Sequence, residues 1–254
     1  MIDTHAHIYL NHFEEDWNEM LNRMSSVGVE RVYLPNIDGD SMDAVDRLAD
    51  LIPEKFYPMM GLHPCSVKED YQEQLSRIHS RLFDGSYIAI GEIGIDLYWD
   101  KTYVKEQEDA YRTQIKWSLE LDLPYIIHSR DSLDRTIEIS EEMQKGKSRG
   151  IFHCFNGTLE QAHRIMDIGF YMGIGGVVTF KNAGVDKVVK EIPLEHLVLE
   201  TDSPYLTPVP YRGKRNEPSY LTHIVRRIAE VKEIDEEEVK QITTDNALKL
   251  FHPS

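Results

Sequence analysis

Cysteine, basic charge and long apolar runs are all scarce in this sequence of 254 residues. Its two cysteines, Cys65 and Cys154, cannot build the disulfide framework of a small secreted protein, so we expect both thiols to be reduced. Lysine and arginine number 28 against 44 acidic residues, which gives a formal net charge of −16. This balance argues against a protein that coats nucleic acid through a broad basic face.

No apolar run approaches the roughly 20 residues that a membrane-spanning helix requires. The opening residues, MIDTHAHIYL, have neither the positive segment nor the long apolar stretch of a secretory signal. We therefore expect a cytoplasmic protein without membrane association, and no obligate protein partner is implied. Hydrophobic residues make up 41% and charged residues 28%, which is ordinary for a globular domain of this length.

Short β-type runs alternate with longer helical runs along the chain, which is the pattern of parallel βαβ units. Eight β/α units in a chain of this length predict a TIM-type (β/α)8 barrel of the α/β class, formed as a single domain over residues 1–254. The predicted strands span residues 1–5, 31–35, 56–61, 88–92, 124–128, 150–153, 171–175 and 197–200.

Helical periodicity predicts the connections between these strands. Ser41 and Ser132 precede two of the helical segments, and Thr158 with Gln161 forms a capping-box pattern before a third. Four prolines in residues 203–219 predict a long loop after the eighth strand, followed by two additional C-terminal helices. The predicted helices span residues 14–26, 43–51, 72–83, 104–121, 133–144, 159–168, 220–231 and 235–251.

Six possible metal ligands stand at the ends of predicted strands. His5 and His7 are two positions apart, so an extended chain projects both imidazoles from one face. The carboxyl ends of parallel strands meet at one edge of a barrel, which is where barrel enzymes place their chemistry. Six donors suffice for two ions: His5, His7, Glu92, His128, His153 and Asp202. We interpret the histidines predicted in helices or loops as surface or capping residues: His12, His79, His163, His196, His223 and His252.

Several short motifs, in order and mostly at predicted strand ends, carry a resemblance to a known family. They are DTHAH at 3–7, GLHP at 61–64, GEIGID at 91–96, HSR at 128–130, HCF at 153–155, ETDSPYL at 200–206 and RNEP at 215–218. With these motifs, nearly the whole chain resembles the TatD-like metal-dependent deoxyribonucleases, within the wider amidohydrolase-type barrels.

The resemblance implies that His5, His7 and Asp202 hold one divalent ion, that His128 and His153 hold another, and that Glu92 bridges them. Related barrels often use a carboxylated lysine as the bridge, so Glu92 favours the nuclease branch. Four imidazoles with two carboxylates suit Zn, Mn, Fe, Co or Ni, whereas the resemblance suggests Mg. Two such ions would activate a hydroxide as the nucleophile and keep the pocket positive within an acidic protein.

Other residues are given roles beside the ions. Asp202 is the predicted general base or proton shuttle, and Glu92 shares the catalytic role as the bridge. His63 and Arg130 are predicted to contact substrate phosphate, with a salt bridge as the alternative role of Arg130. Arg215 belongs to a basic loop cluster, with Arg212 and Lys214, that either binds phosphate or is solvated. The aromatic residues near the predicted mouth either stack on bases or pack against the protein: Tyr98, Trp99, Tyr205 and Tyr211.

Three further carboxylates, which lie in the same motifs as the ligands, complete the predicted site. Asp3 either hydrogen-bonds a ligand histidine, caps the turn or ligates a metal directly, and Asp96 and Glu200 either accept a histidine N–H or accept a backbone amide. The function that the resemblance implies is hydrolysis of DNA phosphodiester bonds from a 3′ end, with single-stranded DNA or 3′ ends as the substrate. The acidic surface suits end binding better than wrapping a duplex. One alternative is a hydrolase of a small amide, lactone or phosphoester on the same metals; another is a metal-loaded barrel that only binds a partner.

Overall fold

The computed structural model describes residues 1–144 and 146–251, and within them it has eight strands and nine α-helices. The strands are β1 Ile2–Asp3, β2 Arg31–Leu34, β3 Phe56–Pro58, β4 Ile90–Asp96, β5 Tyr125–Arg130, β6 Gly150–Phe152, β7 Tyr171–Ile174 and β8 Leu197–Leu199. The helices are α1 Trp17–Ser26, α2 Met42–Leu51, α3 Tyr71–Asp84, α4 Val104–Leu121, α5 Leu133–Met143, α6 Leu159–Asp167, α7 Val185–Glu191, α8 Leu221–Lys232 and α9 Glu236–Phe251.

All strand pairs are parallel, and they form a sheet of β1–β2–β3 and a sheet of β4–β5–β6–β7–β8. Isolated parallel bridges join the two sheets on both sides, at Met60 with Ile90 and at Ala6 with Ser203. Backbone hydrogen bonds reinforce the second seam, including Thr4 N to Leu199 O at 3.0 Å. The strands thus close into a cylinder with helices outside, and the predicted TIM-type barrel is confirmed.

Several predicted element boundaries were wrong. Strand β1 is only two residues long, whereas β4 and β5 run on to Asp96 and Arg130. Glu92 and His128 therefore lie within strands rather than at their ends. A 3₁₀ helix, Asn11–Asp16, precedes α1 where an α-helix was predicted, and α7 was not predicted.

The helix starts agree in part with the sequence signals. The Thr158–Gln161 capping box is present, with both reciprocal hydrogen bonds formed. Ser41 and Ser132 do precede α2 and α5, but neither side chain makes a capping hydrogen bond to its helix. The Ser132 hydroxyl instead donates to Ile95 O at 2.6 Å, which ties the start of α5 to β4.

An inner apolar cluster fills the floor of the barrel. It joins inward side chains from seven of the eight strands, or from residues next to them, to the end of α9. The ring of Phe251 lies 4.4 Å from that of Tyr33, edge to face. Asn246 Nδ2 anchors α9 by donating to Leu194 O at 2.9 Å and Leu197 O at 2.7 Å. The additional C-terminal helix therefore closes the lower end of the cylinder.

Strand β4 contains an irregularity that determines the direction of Glu92. Ile90 pairs with Tyr125 and Ile93 with Ile127, so three residues of β4 span two of β5. Ile90 and Ile93 both pack in the outer core between strands and helices, although strict alternation would put them on opposite faces. This extra residue reverses the alternation, and the Glu92 side chain points into the barrel.

None of the helices within residues 1–144 and 146–251 combines the length and apolar character that crossing a membrane requires.

Candidate metal centre

Glu92 lies at the centre of the barrel mouth, nearly fully buried, with one carboxylate oxygen facing each of two sets of donors. Its Oε2 is 3.2 Å from His5 Nε2 and 3.6 Å from His7 Nε2. Asp202 Oδ1 completes this first set, at 3.8 Å from His5 Nε2 and 3.7 Å from His7 Nε2. These four side chains come from the two ends of the chain and from β4, which only the closed barrel brings together.

The other oxygen of Glu92 faces the second set. Glu92 Oε1 lies 2.8 Å from His128 Nδ1, 3.1 Å from His153 Nε2 and 3.4 Å from His63 Nε2. All six predicted ligands are thus brought together. His63, which was predicted to touch only substrate, is also part of the cluster.

His63 nevertheless differs from the other imidazoles in its hydrogen bonding. Its Nδ1 accepts a hydrogen bond from the backbone N–H of Cys65 at 3.0 Å. A neutral His63 must then carry its proton on Nε2, the atom that faces Glu92. This arrangement favours His63 as a hydrogen-bond donor into the site rather than as a lone-pair ligand.

Tyr9 holds His7 in the tautomer opposite to that of His63, with the proton on Nδ1. The Tyr9 hydroxyl donates to Pro35 O at 2.8 Å, so its oxygen accepts from His7 Nδ1–H at 2.9 Å. The lone pair of His7 Nε2 is therefore directed at the cluster, where it meets His5 Nε2 at 3.3 Å. Sequence reasoning missed Tyr9, although its spacing of two from His7 repeats the spacing of two that identified His5 and His7.

Two of the three predicted supporting carboxylates contact a cluster histidine. Asp96 Oδ2 lies 2.9 Å from His128 Nε2, and Glu200 Oε1 lies 3.3 Å from His153 Nδ1. Glu200 is fully buried and also accepts the backbone N–H of Cys154 at 2.5 Å. A Cβ at Gly173 would lie 2.1 Å from Glu200 Oε2, so only glycine there leaves room for the carboxylate.

Asp3 acts on the backbone instead of on an imidazole. Its Oδ1 accepts the N–H of Thr201 at 2.9 Å and that of His5 at 3.3 Å, and its Oδ2 accepts the Thr201 hydroxyl at 2.5 Å. Burial raises the pKa of Asp3 to about 8, although these hydrogen bonds oppose the shift. Asp3 thus joins the start of the chain to the segment that carries Asp202.

The pKa values of two cluster histidines, His5 and His153, are shifted in opposite directions. Burial and the neighbouring His153 lower the pKa of His5 well below its ordinary value, so His5 is neutral and able to ligate. Burial opposes protonation of His153, but Glu92 and Glu200 hold its pKa well above the ordinary value. Burial would likewise raise the pKa of Glu92, yet the surrounding imidazoles hold it well below normal. Burial raises the pKa of Asp202 to about 6.

The donors fit a divalent cation. Among the described residues, three groups have ligand atoms that all lie within 4.8 Å of one another, and they combine imidazole nitrogen with carboxylate oxygen, the donor types of Zn and related metals. Each group draws on both sheets of the barrel. The groups are His5 with His153 and Asp202, His5 with His7 and Glu92, and His63 with Glu92 and His128.

A cavity of about 570 Å³ opens above the cluster, within the size range of ligand pockets. Arg130 lines it, as do Trp99, Tyr205 and both cysteines, which are free as expected. Tyr211 does not line this cavity; its ring stacks on Tyr220 at 4.6 Å. The packing alternative therefore holds for Tyr211.

Arg215 is not at this cavity. Its guanidinium donates to Asp16 at 2.5 and 2.9 Å, lies 3.4 Å from Glu217 Oε2 and covers the ring of Phe13 at 4.4 Å. Arg23 joins the same network through two 2.7 Å hydrogen bonds to Glu217. Arg215 is therefore not brought together with the predicted ligands, and its donors tie the loop after β8 to the 3₁₀ helix Asn11–Asp16.

Histidines outside the cluster follow the prediction of surface or capping positions in part. His12 and His163 are exposed, whereas His79 is half-buried, with its ring stacked on Phe83 at 4.1 Å. His196 and His223 are half-buried as well. His252 lies outside the described residues.

A parallel barrel with buried imidazoles and carboxylates at its mouth defines the class of metal-dependent hydrolases. The profile of the family described as "TatD related DNase" matches residues 2–252. The chain belongs to this family, and the resemblance seen in its motifs is confirmed.

Similar proteins agree with this assignment over their full length. "Uncharacterized metal-dependent hydrolase YabD" of Bacillus subtilis (strain 168) is 41% identical over 254 residues, which cover 99% of this chain and 98% of that protein. "3'-5' ssDNA/RNA exonuclease TatD" of Pectobacterium parmentieri (strain WPP163) is 29% identical, with 99% of each chain covered. The crystal structure of YJJV, a TatD homologue from Escherichia coli k12, superposes with a TM-score of 0.93 at 28% identity, covering 100% of this chain and 98% of that one.

Proposed function

We propose that this metal-dependent hydrolase is a deoxyribonuclease that removes nucleotides from the 3′ end of single-stranded DNA, with two divalent ions at the barrel mouth. The observation that carries the proposal is the position of Glu92, whose two oxygens each face a separate set of donors. One carboxylate can bridge ions about 3.5 to 4 Å apart, the spacing of two-metal phosphoester hydrolysis. The Pectobacterium relative, named as a 3'-5' ssDNA/RNA exonuclease, supports the substrate class.

In this proposal His5, His7 and Asp202 would hold one ion, His128 and His153 would hold the other, and Glu92 would serve both. The groups of close donor atoms cut across this division, since His5 also groups with His153 and Asp202, and His128 groups with His63 and Glu92. When bound, the ions lower the pKa of a water molecule and neutralise charge on the phosphate oxygens. Asp96 and Glu200 keep the rings of His128 and His153 oriented, and Asp3 keeps His5 and Asp202 in register. Mg, Mn, Zn, Ni, Co and Fe are the candidate metals.

Asp202 is the proposed general base. It lines the cavity, and its raised pKa of about 6 leaves the carboxylate ionised at neutral pH yet able to accept a proton from the attacking water. Asp202 would serve both as a metal ligand and as the base, since the same carboxylate faces His5 and His7.

The phosphate is contacted by His63 and Arg130 in this proposal. His63 directs an N–H into the cluster, and Arg130 presents its guanidinium to the same cavity. Arg215 has no part in it. The protein has a formal charge of −16, so attraction of the end of a DNA strand depends on the bound ions and on the N–H donors of His63 and Arg130. The free cysteines support the proposed cytoplasmic location.

The test is cleavage of a 30-mer single-stranded DNA labelled at its 5′ end, with each candidate metal in turn and in chelator. Attack from the 3′ end yields a ladder of labelled products that shorten with time, whereas the same DNA labelled at its 3′ end releases the label at once. Asp202→Asn is expected to abolish both patterns, and Asp50→Asn, an exposed aspartate of α2, is the matched control.

DNA that stays intact with every metal would contradict the proposal. A parallel panel of lactones, cyclic amides and small phosphoesters then identifies a small-molecule hydrolase. The binding-only alternative predicts that Glu92→Gln leaves every measurable function unchanged, and loss of hydrolysis in that variant contradicts it.

A further inference from the structure

Large aromatic side chains are exposed at one side of the cavity. Trp99 is 70% exposed and Tyr98 51% exposed, both in the loop directly after β4. Trp99 also lines the cavity that contains Glu92 and His128. Burying an indole of this size is worth several kcal/mol in most proteins, so its exposure beside a candidate active site indicates a binding surface.

Arg130 lies against these rings. Its guanidinium carbon is 3.8 Å from the centre of the Tyr98 ring and 5.3 Å from that of Trp99. Across residues 1–144 and 146–251, no ion pair engages this guanidinium. Stacking uses the flat face of the guanidinium and leaves its N–H groups, which lie in the plane, free for phosphate oxygens.

One carboxylate positions both this surface and the cluster. Asp96 Oδ1 accepts the backbone N–H groups of Tyr98 at 2.9 Å and Trp99 at 3.1 Å. Its other oxygen lies 2.9 Å from His128 Nε2. The loop that bears the aromatic residues is therefore held at a constant separation from a cluster histidine.

We propose that Trp99, held edge to face by Tyr98 with the ring planes 88° apart and flanked by Arg130, provides an aromatic shelf on which an unpaired nucleobase, next to the phosphate that is cleaved, stacks. The inference rests on the proposed function and deepens it by naming the feature that selects single strands. A base paired within a duplex has both faces covered by its neighbours and cannot lie on the shelf. Stacking on an exposed aromatic residue contributes roughly 1–3 kcal/mol per base with little regard to sequence.

The test compares the affinity of the Mn²⁺-loaded protein for two oligomers of equal length, a dT 8-mer and a fully abasic 8-mer, both with phosphorothioate linkages that resist cleavage. Fluorescence anisotropy at low salt, with both oligomers shown to be intact afterwards, gives the two dissociation constants. The wild-type protein is expected to bind the dT oligomer about tenfold more tightly than the abasic one. Trp99→Ala should reduce this ratio to within about twofold, and Trp99→Phe should retain most of it.

Two further variants separate stacking from other effects. Arg130→Gln is expected to weaken binding of both oligomers by similar factors, because phosphate is common to them. Leu51→Ala removes another exposed apolar side chain, 61% exposed on α2 and away from the cavity, and should preserve the wild-type ratio.

Two results would overturn the shelf: a Trp99→Ala protein that keeps the wild-type ratio, or a wild-type protein that binds neither oligomer or binds both equally. If DNA is cleaved but the wild-type ratio is near one, the shelf fails and the proposed function stands. If the ratio behaves as expected but no DNA is cleaved with any metal, nucleobase binding stands and the proposed nuclease activity fails.

Discussion

At the floor of the barrel, inward side chains meet the end of α9 and are almost all apolar, whereas the inward positions at the mouth hold imidazoles and carboxylates. Both groups are buried. Ile126 and His128 lie on the same strand, two positions apart, and belong to the opposite ends of this interior. A step of two residues along one strand thus separates apolar packing from polar chemistry.

The contrast shows that the apolar floor stabilises the fold, whereas the titratable groups at the mouth reduce its stability wherever they are unpaired. Burying apolar surface at the floor contributes about 25 cal/mol per Å². Buried titratable groups at the mouth oppose folding unless they are paired, and the opposed pKa shifts of Glu92 and His153 show how strongly they depend on one another. Changes at the mouth should therefore remove metal binding and activity, and changes at the floor should remove stability.

The largest effect is expected from Glu92→Gln. An amide offers one acceptor oxygen in place of two, so it cannot serve both donor sets, and hydrolysis should fall by at least about 10³-fold, beyond the 10- to 100-fold typical of losing a ligand's outer partner. Isothermal titration with Mn²⁺ measures the loss of metal affinity, and hydrolysis of bis(p-nitrophenyl) phosphate measures the loss of activity. The metal-free variant should also lose stability towards urea at pH 7, because the depressed pKa of Glu92 means that its ionised form stabilises the folded state, and glutamine leaves His153 without this partner. Hydrolysis that falls by less than about tenfold would break the comparison at the mouth.

Phe251→Ala should have the opposite signature. The ring is 5% exposed and packs on Tyr33, so its removal leaves a cavity at the floor and should reduce the free energy of unfolding by about 3 kcal/mol. Urea denaturation gives this value, and Phe251→Leu, which keeps most of the apolar volume, should lose less than half as much. Mn²⁺ affinity per folded molecule is expected to stay the same; a tenfold change in it would show that the two ends are coupled.

Tyr9→Phe sharpens the comparison, because it removes one hydroxyl from the mouth and almost no volume. Without the Tyr9 oxygen, His7 Nδ1 loses its acceptor and the imidazole is free to adopt the other tautomer or to rotate. Metal affinity should fall about tenfold with little change in urea stability. Titration of the purified protein with Mn²⁺ measures the first quantity. An unchanged affinity would mean that His7 is oriented without Tyr9.

The smallest effect is expected at the ion-pair network beside the mouth, and it depends on pH. Partial burial would raise the pKa of Glu217, but hydrogen bonds from Arg23 and Ser219 hold this pKa below its ordinary value. A depressed carboxyl pKa stabilises the fold above the unfolded pKa of about 4.3, and that stability is lost as the pH falls through the folded pKa. Glu217→Gln should thus be less stable than wild type at pH 7, and the difference should shrink below about pH 4. A difference that is constant from pH 7 to pH 3 would assign the effect to packing instead of charge.

Local sequence patterns predicted the barrel and the six clustered donors because both follow from short-range rules. The β/α alternation repeats along the chain, and each donor follows or ends an apolar run. The inward direction of Glu92 did not follow from alternation, since the extra residue in β4 is defined only by pairing with β5. The position of Arg215 away from the cavity did not follow from the sequence for a similar reason: its partner Asp16 is 199 residues away. The acceptor that orients Tyr9, Pro35 O, also becomes a neighbour only when the barrel closes.

The seams of the cylinder have one more consequence. The β1–β3 sheet and the β4–β8 sheet meet through isolated bridges, and each of the three donor groups takes atoms from both sheets. A cation held by any of these groups would be at once a cofactor and a cross-link between the two halves, in addition to the backbone hydrogen bonds that already join them. Loading the protein with metal should accordingly slow amide exchange at Ala6 and His7, beside the seam, more than at the floor, so a bound cation would also strengthen the closure of the cylinder.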